Sequence, residues 1–351
     1  MGDVILTTGV AAALAQRFPE ARIDYLTRSP NDQLLGEETG FDRVIVLPSM
    51  IPGNWTSIRR YLGFLREIRR NRYDLVIDFF SRGPRSRVIT LVTGASFRLG
   101  LVDRGSPGHG WIDRIVYTRI SSPPVQLALT VDRMNHLLSR IFSLTSLPAH
   151  ASLPVLTVRD DNIAKAREIL SSTFPEGGPV FLVFCGSGIP AKNWPAHNFA
   201  DVARRLVARG MGVLFLGAAS DHEQMEKVRG CLEDQSRIAF RENLPLPTLK
   251  GLCRLSRGIL GNDSGPLHLA QAAGHDVVVL FGPGDHVSYA PFRGRFLKAN
   301  LACQPCQAFA NHCPDNRCMQ EIDVEDVWTA LAETFDLRDD LRESERAVFV
   351  P

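Results

Sequence analysis

Asn262-Asp263-Ser264-Gly265-Pro266-Leu267-His268 is the stretch whose residue types and spacing point most directly to chemistry. It follows a short apolar run, Gly258-Ile259-Leu260, and precedes the small helical run Ala270 to Ala273. A strand that ends in a polar turn and opens a helix leaves backbone N–H groups without intrahelical partners. The helix dipole adds partial positive charge there. Such a turn suits a phosphate or pyrophosphate. Asp263 and Ser264 also suit plain helix capping. Capping does not call for Gly265, which lets a ligand approach the backbone, nor for His268, one turn in and facing the same end.

Other segments offer related chemistry. Gly186-Ser187-Gly188 ends an apolar run and Lys192 follows it, beside a helix start. Flexible backbone, the Ser187 hydroxyl and a Lys suit a phosphate, although an ordinary solvated loop would read the same way. The Gly-Lys-[Ser/Thr] of a P-loop is absent. After another apolar run, Asp221 or Glu223 suits a ribose diol, or simply stabilises a first helical turn. Asp3 stands at a helix N-terminus, where a carboxylate can accept a proton from a sugar hydroxyl or serve as an N-cap. Cys303, Cys306, Cys313 and Cys318 lie in one loop. Four thiolates are enough for a structural zinc, but the spacing of the second pair is irregular, His312 confuses the choice of ligands, and free thiols are the default.

The elements that must position these residues alternate. Ile23–Leu26, Val44–Leu47 and Leu75–Phe79 read as strands, with helices over Leu6–Phe18, Ser57–Asn71 and Val131–Phe142. Leu147 to Pro154 breaks the pattern as a linker. Strands then recur at Val180–Phe184, Val213–Gly217, Ile259–Leu260 and Val277–Phe281, with helices over Trp194–Arg209, Asp221–Leu232 and Val324–Phe335. This alternation implies parallel, doubly wound sheets in two Rossmann-like halves, residues 1–150 and 151–351, with ligands beyond the carboxyl ends of the strands. Asp3 begins its helix with no strand before it, where a doubly wound domain would open with one.

A length of 351 residues, with 44% hydrophobic and 22% charged residues, fits a two-domain globular protein. The net charge of +2 is unevenly spread: Ser57 to Arg104 holds eleven Arg against four acids. Arg59, Arg60, Arg66, Arg69 and Arg70 fall on one helix, either as a solvated face or as a surface for an acidic lipid or phosphorylated glycan. Aromatic residues are not interleaved with them, which argues against nucleic acid. No apolar run reaches the roughly 18 residues of a membrane span, and no signal peptide opens the chain, so a cytoplasmic protein with reduced cysteines is expected.

Together these segments resemble glycosyltransferase family 9, the ADP-heptose–lipopolysaccharide heptosyltransferases. The matching pieces are Gly2-Asp3-Val4-Ile5-Leu6-Thr7-Thr8, Arg17-Phe18-Pro19-Glu20-Ala21, Lys192-Asn193-Trp194-Pro195, Leu216-Gly217-Ala218, the Asn262–His268 segment, Leu280-Phe281-Gly282-Pro283 and Cys318-Met319. The resemblance implies a GT-B fold, with the acceptor on the N-terminal domain and the nucleotide-sugar on the C-terminal one. It implies inversion with no cofactor and no metal for the chemistry. Asp3 would be the catalytic residue, Lys192 the phosphate-binding Lys, and Asp263, Ser264 and Gly265 the pyrophosphate turn. The Cys-rich loop recurs in many members. Members also carry a strand of about ten residues before the Gly-Asp turn. Here either translation begins upstream or the first sheet lacks its central strand.

The expected activity is therefore transfer of heptose, or a related sugar, from an ADP-sugar to the lipid-linked inner core of lipopolysaccharide. The arginine-rich face would meet anionic acceptor groups or the inner face of the inner membrane. A sugar-nucleotide 2-epimerase of similar architecture is the first alternative, and a degenerate, non-catalytic nucleotide-sugar-binding protein the second.

Overall fold

A computed structural model describes residues 1–35, 40–79, 83–101, 111–121, 129–141, 153–233, 236–306, 313 and 315–337. The chain divides into two compact units, Leu6–Pro154 and Met1–Ile5 with Val155–Pro351. We call these the N-terminal and C-terminal units.

Helix α1 (Gly2–Arg17) carries Asp3 in its first turn and Arg17 in its last, the signs that complement the helix dipole. It starts four residues earlier than the apolar pattern suggests. The N-terminal unit continues through β1 (Asp24–Thr27), β2 (Arg43–Val46), α2 (Trp55–Arg70), β3 (Leu75–Asp78), α3 (Pro84–Thr93), β4 (Phe97–Leu101), α4 (Trp111–Val116), β5 (Arg119–Ser121) and α5 (Thr130–Ile141). Asn54 caps α2 by accepting from the Ser57 N–H. Tyr61, Phe64 and Ile68 recur at helical spacing, and pack with Ile89 of α3 and with Ile45 and Leu47 around β2. The strands form two separately paired parallel sheets, β1-β2 and β3-β4-β5, rather than one continuous sheet.

The C-terminal unit runs α6 (Asp160–Thr173), β6 (Val180–Phe184), α7 (Ala196–Val207), β7 (Gly212–Gly217), α8 (His222–Gly230), β8 (Ile238–Glu242), α9 (Leu246–Leu255), β9 (Gly258–Asn262), α10 (Gly265–Ala272), β10 (Val277–Phe281), β11 (Gly294–Lys298), α11 (Arg317–Gln320) and α12 (Val324–Thr334). Its six strands form one sheet in the order β11-β10-β9-β6-β7-β8, with every pairing parallel. Every residue of β6, β9 and β10 is buried, as expected for a sheet covered on both faces. The chain winds one way from β6 to β8 and the other way from β9 to β11. The order therefore reverses between β6 and β9, and a doubly wound sheet binds its ligands at such a point.

Candidate active site at the sheet's switch point

The loops leaving β6 and β9 diverge at this reversal, and the strongest sequence candidates lie on them. Asn262 ties the two loops together. Its side chain is fully buried; its Nδ2 donates to the Cys185 carbonyl at 2.6 Å, and its Oδ1 accepts from the Trp194 N–H at 3.1 Å. Trp194, also fully buried, donates through Nε1 to the Ile322 carbonyl at 3.0 Å. A buried amide with both ends bonded fixes loop geometry, because losing either partner would strand a desolvated polar group. The segment that ends at Trp194 carries Lys192, whose Nζ lies 2.6 Å from Asp263 Oδ2. Both side chains are largely covered. Gly284 sits directly against the Asp263 carboxylate, and a Cβ at that position would collide with it.

Helix α10 opens immediately after this pair. Ser264 occupies the N-cap position but makes no capping bond, and its buried Oγ has no hydrogen-bond partner among the described residues. Asp263 is engaged by Lys192, so neither residue caps the helix through its side chain. The Gly265 N–H, at the first helical position, has no intrahelical acceptor. His268, one turn further, is buried, and its Nδ1 is also without a partner. Burial pushes the His268 pKa below the usual imidazole value, against an opposing pull from Asp263 and Asp3. The ring is therefore neutral at neutral pH. Two unpartnered polar atoms, a half-buried helix start and an ammonium form an arrangement that an anion with several acceptor oxygens would satisfy.

The chain start belongs to the same unit and reaches the same place. A Cβ on Gly2 would lie 2.9 Å from His268 Cδ2, and one on Gly265 would lie 2.8 Å from Met1 Cβ. The close approach at Gly265 is thus made by Met1. Asp3 is exposed, and its Oδ1 accepts from the Tyr289 hydroxyl at 3.3 Å. The Tyr289 ring also stands 6.3 Å from that of His268. Sequence reasoning missed Tyr289. It lies in the loop after β10, where Asp285 Oδ1 accepts from the N–H groups of Val287 and Ser288 and holds the turn. The Gly284-Asp285 pair shortly after an apolar run was the local signal for that turn.

The remaining candidates fall elsewhere. Ser187 is bound within its own loop, bonding Asn193 Oδ1 and the Ile189 carbonyl at 2.8 Å each. Asp221 joins two loops, accepting from the Gly188 N–H at 3.0 Å and the Ala218 N–H at 2.8 Å. Glu223 faces solvent and pairs with Lys227 at 2.7 Å. His222 and Glu242 lie 2.8 Å apart. Cys303 and Cys313 are exposed, Cys306 is half-buried and Cys318 is buried. Burial and the neighbouring thiols push Cys318 up to about 11. Among the described residues, no three His, Cys, Asp or Glu side chains gather as metal ligands, and His312 lies outside those residues. Arg59, Arg60, Arg66, Arg69 and Arg70 all sit on the exposed face of α2.

Comparison with known proteins shows the family and the fold. A family model described as glycosyltransferase family 9 (heptosyltransferase) matches residues 61–316. Lipooligosaccharide heptosyltransferase 2 of Haemophilus influenzae is 33% identical, over 81% of this chain and 81% of that protein. Lipopolysaccharide heptosyltransferase 2 of Escherichia coli is 26% identical, over 81% of this chain and 80% of its own length. The structure of E. coli ADP-heptose lps heptosyltransferase II has the same fold, with a TM-score of 0.74 at 20% identity, covering 98% of this chain and 96% of that one.

Proposed function

The chain belongs to glycosyltransferase family 9, and from that premise we propose that it moves heptose, or a closely related sugar, from an ADP-sugar to the lipid-linked inner core of lipopolysaccharide with inversion. Family membership supports transfer over epimerisation. In this reading the N-terminal unit holds the acceptor and the C-terminal unit the donor, and the enzyme works at the inner face of the membrane that presents its acceptor.

The observation that carries the proposal is the anion-ready turn. Lys192, the unpartnered Ser264 hydroxyl and the Gly265 N–H converge at the switch point. A diphosphate bound there competes with Asp263 for the Lys192 ammonium, so the ion pair holds the Lys in place until the donor arrives. The neutral His268 can donate one N–H to the same group. The acceptor hydroxyl oxygen attacks the anomeric carbon as the carbon–oxygen bond to the diphosphate breaks. ADP departs with that electron pair, and the hydroxyl proton passes to Asp3. A sugar hydroxyl is a weak nucleophile until a carboxylate takes its proton in the transition state. Negative charge grows on the leaving diphosphate, where Lys192 and the helix start stabilise it.

Mass-spectrometric assay of transfer from ADP-heptose to a core-truncated lipopolysaccharide tests this directly. Asp3→Asn keeps the shape and removes the base, so turnover should fall by roughly a hundredfold while ADP binding persists. Lys192→Ala should cost on the order of 2 kcal/mol of transition-state stabilisation. Near-normal transfer by the Asn variant would remove Asp3 from the chemistry. Loss of ADP binding in step with activity would make it a structural residue.

A further inference from the structure

We propose that helices α2, α3 and α4 of the N-terminal unit form a docking face for an anionic lipid bilayer, in which arginines meet the headgroups and aliphatic and tryptophan side chains enter the interfacial layer. These helices are apolar on two sides. One side makes the core, through Tyr61, Phe64 and Ile68 of α2, Ile89 of α3 and Val116 of α4. The other faces solvent. On α2 the outward stripe reads Trp55, Arg59, Leu62, Arg66 and Arg70, spaced by three or four residues, so apolar and cationic groups share one line. On α3, Val88 and Leu91 are exposed at i, i+3; on α4, Trp111, Ile112 and Ile115 are exposed on one side.

The three helices are adjacent. Arg69 of α2 donates to the Thr93 carbonyl at the end of α3 at 3.2 Å, and Arg87 of α3 pairs with the buried Asp113 of α4 at 2.8 Å. Between α2 and α3 runs an open groove of about 370 Å³, lined by Leu62, Leu65, Val92 and the arginines 66, 69 and 70. A Trp is a costly residue to leave in water, yet Trp55 is 83% and Trp111 73% exposed. Among the described residues they are the exposed tryptophans, since Trp194 is buried and Trp328 lies under the guanidinium of Arg209.

Charge complementarity selects the occupant. The single acid of α2, Glu67, is taken by Arg43 at 3.3 Å. Among the described residues, no carboxylate pairs with Arg59, Arg60, Arg66 or Arg70. Unneutralised arginines interleaved with Leu, Val, Ile and Trp match a surface with negative headgroups over an apolar layer. Tryptophan is the side chain that prefers that boundary. A phosphorylated glycan would engage the arginines but leave the aliphatic groups unused. The inference deepens the membrane placement proposed above. Its test uses neither donor nor acceptor, so its failure would leave the transfer reading intact, and the converse.

Sedimentation of the full chain with vesicles of phosphatidylcholine alone, and of phosphatidylcholine with phosphatidylglycerol, gives the measurement. The chain should bind the anionic vesicles roughly tenfold more tightly at low salt, and the difference should shrink as salt screens the arginines. Arg66→Glu with Arg70→Glu should abolish the preference. Trp111→Ser with Ile115→Ser should weaken binding to both vesicle types and leave the preference in place. Brominated lipids should quench the tryptophan emission of the unaltered chain, a readout that does not depend on any variant folding. Absence of quenching, or equal binding by both double variants and the parent, would overturn the proposal. Full displacement by a soluble phosphorylated oligosaccharide would assign the face to a glycan instead.

Discussion

The two units share a strand sequence and differ in one place. In the C-terminal sheet β6 lies between β7 and β9, hydrogen-bonded to both. The N-terminal strands form two separate parallel sheets, β1-β2 and β3-β4-β5. Among the described residues no strand joins those two sheets as β6 joins β7 to β9. β3 ends its sheet and β9 lies inside its own, so the two have opposite surroundings. β9 is buried at every residue, whereas Leu75, Val76 and Ile77 of β3 are each only half-buried. Composition is therefore not what buries a strand. β3 is the more aliphatic of the two, and it lacks a neighbour on one edge. The C-terminal sheet is the firm platform, and it carries the loops of the candidate site.

The same substitution made in both sheets gives the largest expected contrast. Leu182 in β6 is fully buried, so Leu182→Ala should destabilise its unit by about 2–5 kcal/mol. Leu75→Ala removes the same atoms from a half-exposed site and should cost about 1 kcal/mol. Chemical denaturation with hydrogen exchange read unit by unit separates the two. Equal losses would mean that the open edge of β3 is covered in solution.

Amide exchange in the unaltered chain sharpens the contrast without mutation. Strand β9 is paired on both of its sides, with β6 and β10, while β3 is paired with β4 alone. β3 should exchange at least roughly tenfold faster than β9 under native conditions. Matching protection would show that the two sheets of the N-terminal unit behave as one.

This contrast also marks what the sequence could convey. The buried strands were legible because a sheet covered on both faces demands continuous apolar runs such as Val180–Phe184 and Val277–Phe281. Four strands were not: β4, β5, β8 and β11 each carry an Arg that breaks the apolar run, and their pairing is set by neighbours that lie far away in the chain. The strand-to-helix turn was legible because Asp-Ser-Gly follows an apolar run and precedes a helical one, and Lys192 was legible from its place before a helix. The contacts that give these residues their roles were hidden. Nothing local marks Asn262 as the tie between the loops of β6 and β9, or Tyr289 as the partner of Asp3. Asp221 illustrates the converse: a first-turn acid after a strand suits a ribose equally well, and only the fold reveals that both its oxygens accept backbone N–H groups.

The smallest expected effect is a pH dependence confined to the C-terminal unit, and it rests on His268. The groups facing that ring are Asp263, Asp3, Lys192 and the N-terminal amine, and burial outweighs them in setting its pKa. A His whose folded pKa is depressed binds fewer protons folded than unfolded between its folded pKa and about 6.5. Stability in that window therefore rises with pH: it is fully present above about 6.5 and is lost as the solution is acidified toward the folded pKa. His222 works the other way, because the hydrogen bond it donates to Glu242 raises its pKa. Its contribution is present below about 6.5 and fades as pH rises through the raised value, and solvent keeps it small. Exchange-detected stability of the C-terminal unit between pH 5 and 7 should therefore fall toward the acid side, and His268→Gln should flatten the slope. A slope unchanged by that substitution would assign the acid sensitivity to another group, and would mean that the unpartnered imidazole is hydrated in solution rather than held dry for a ligand.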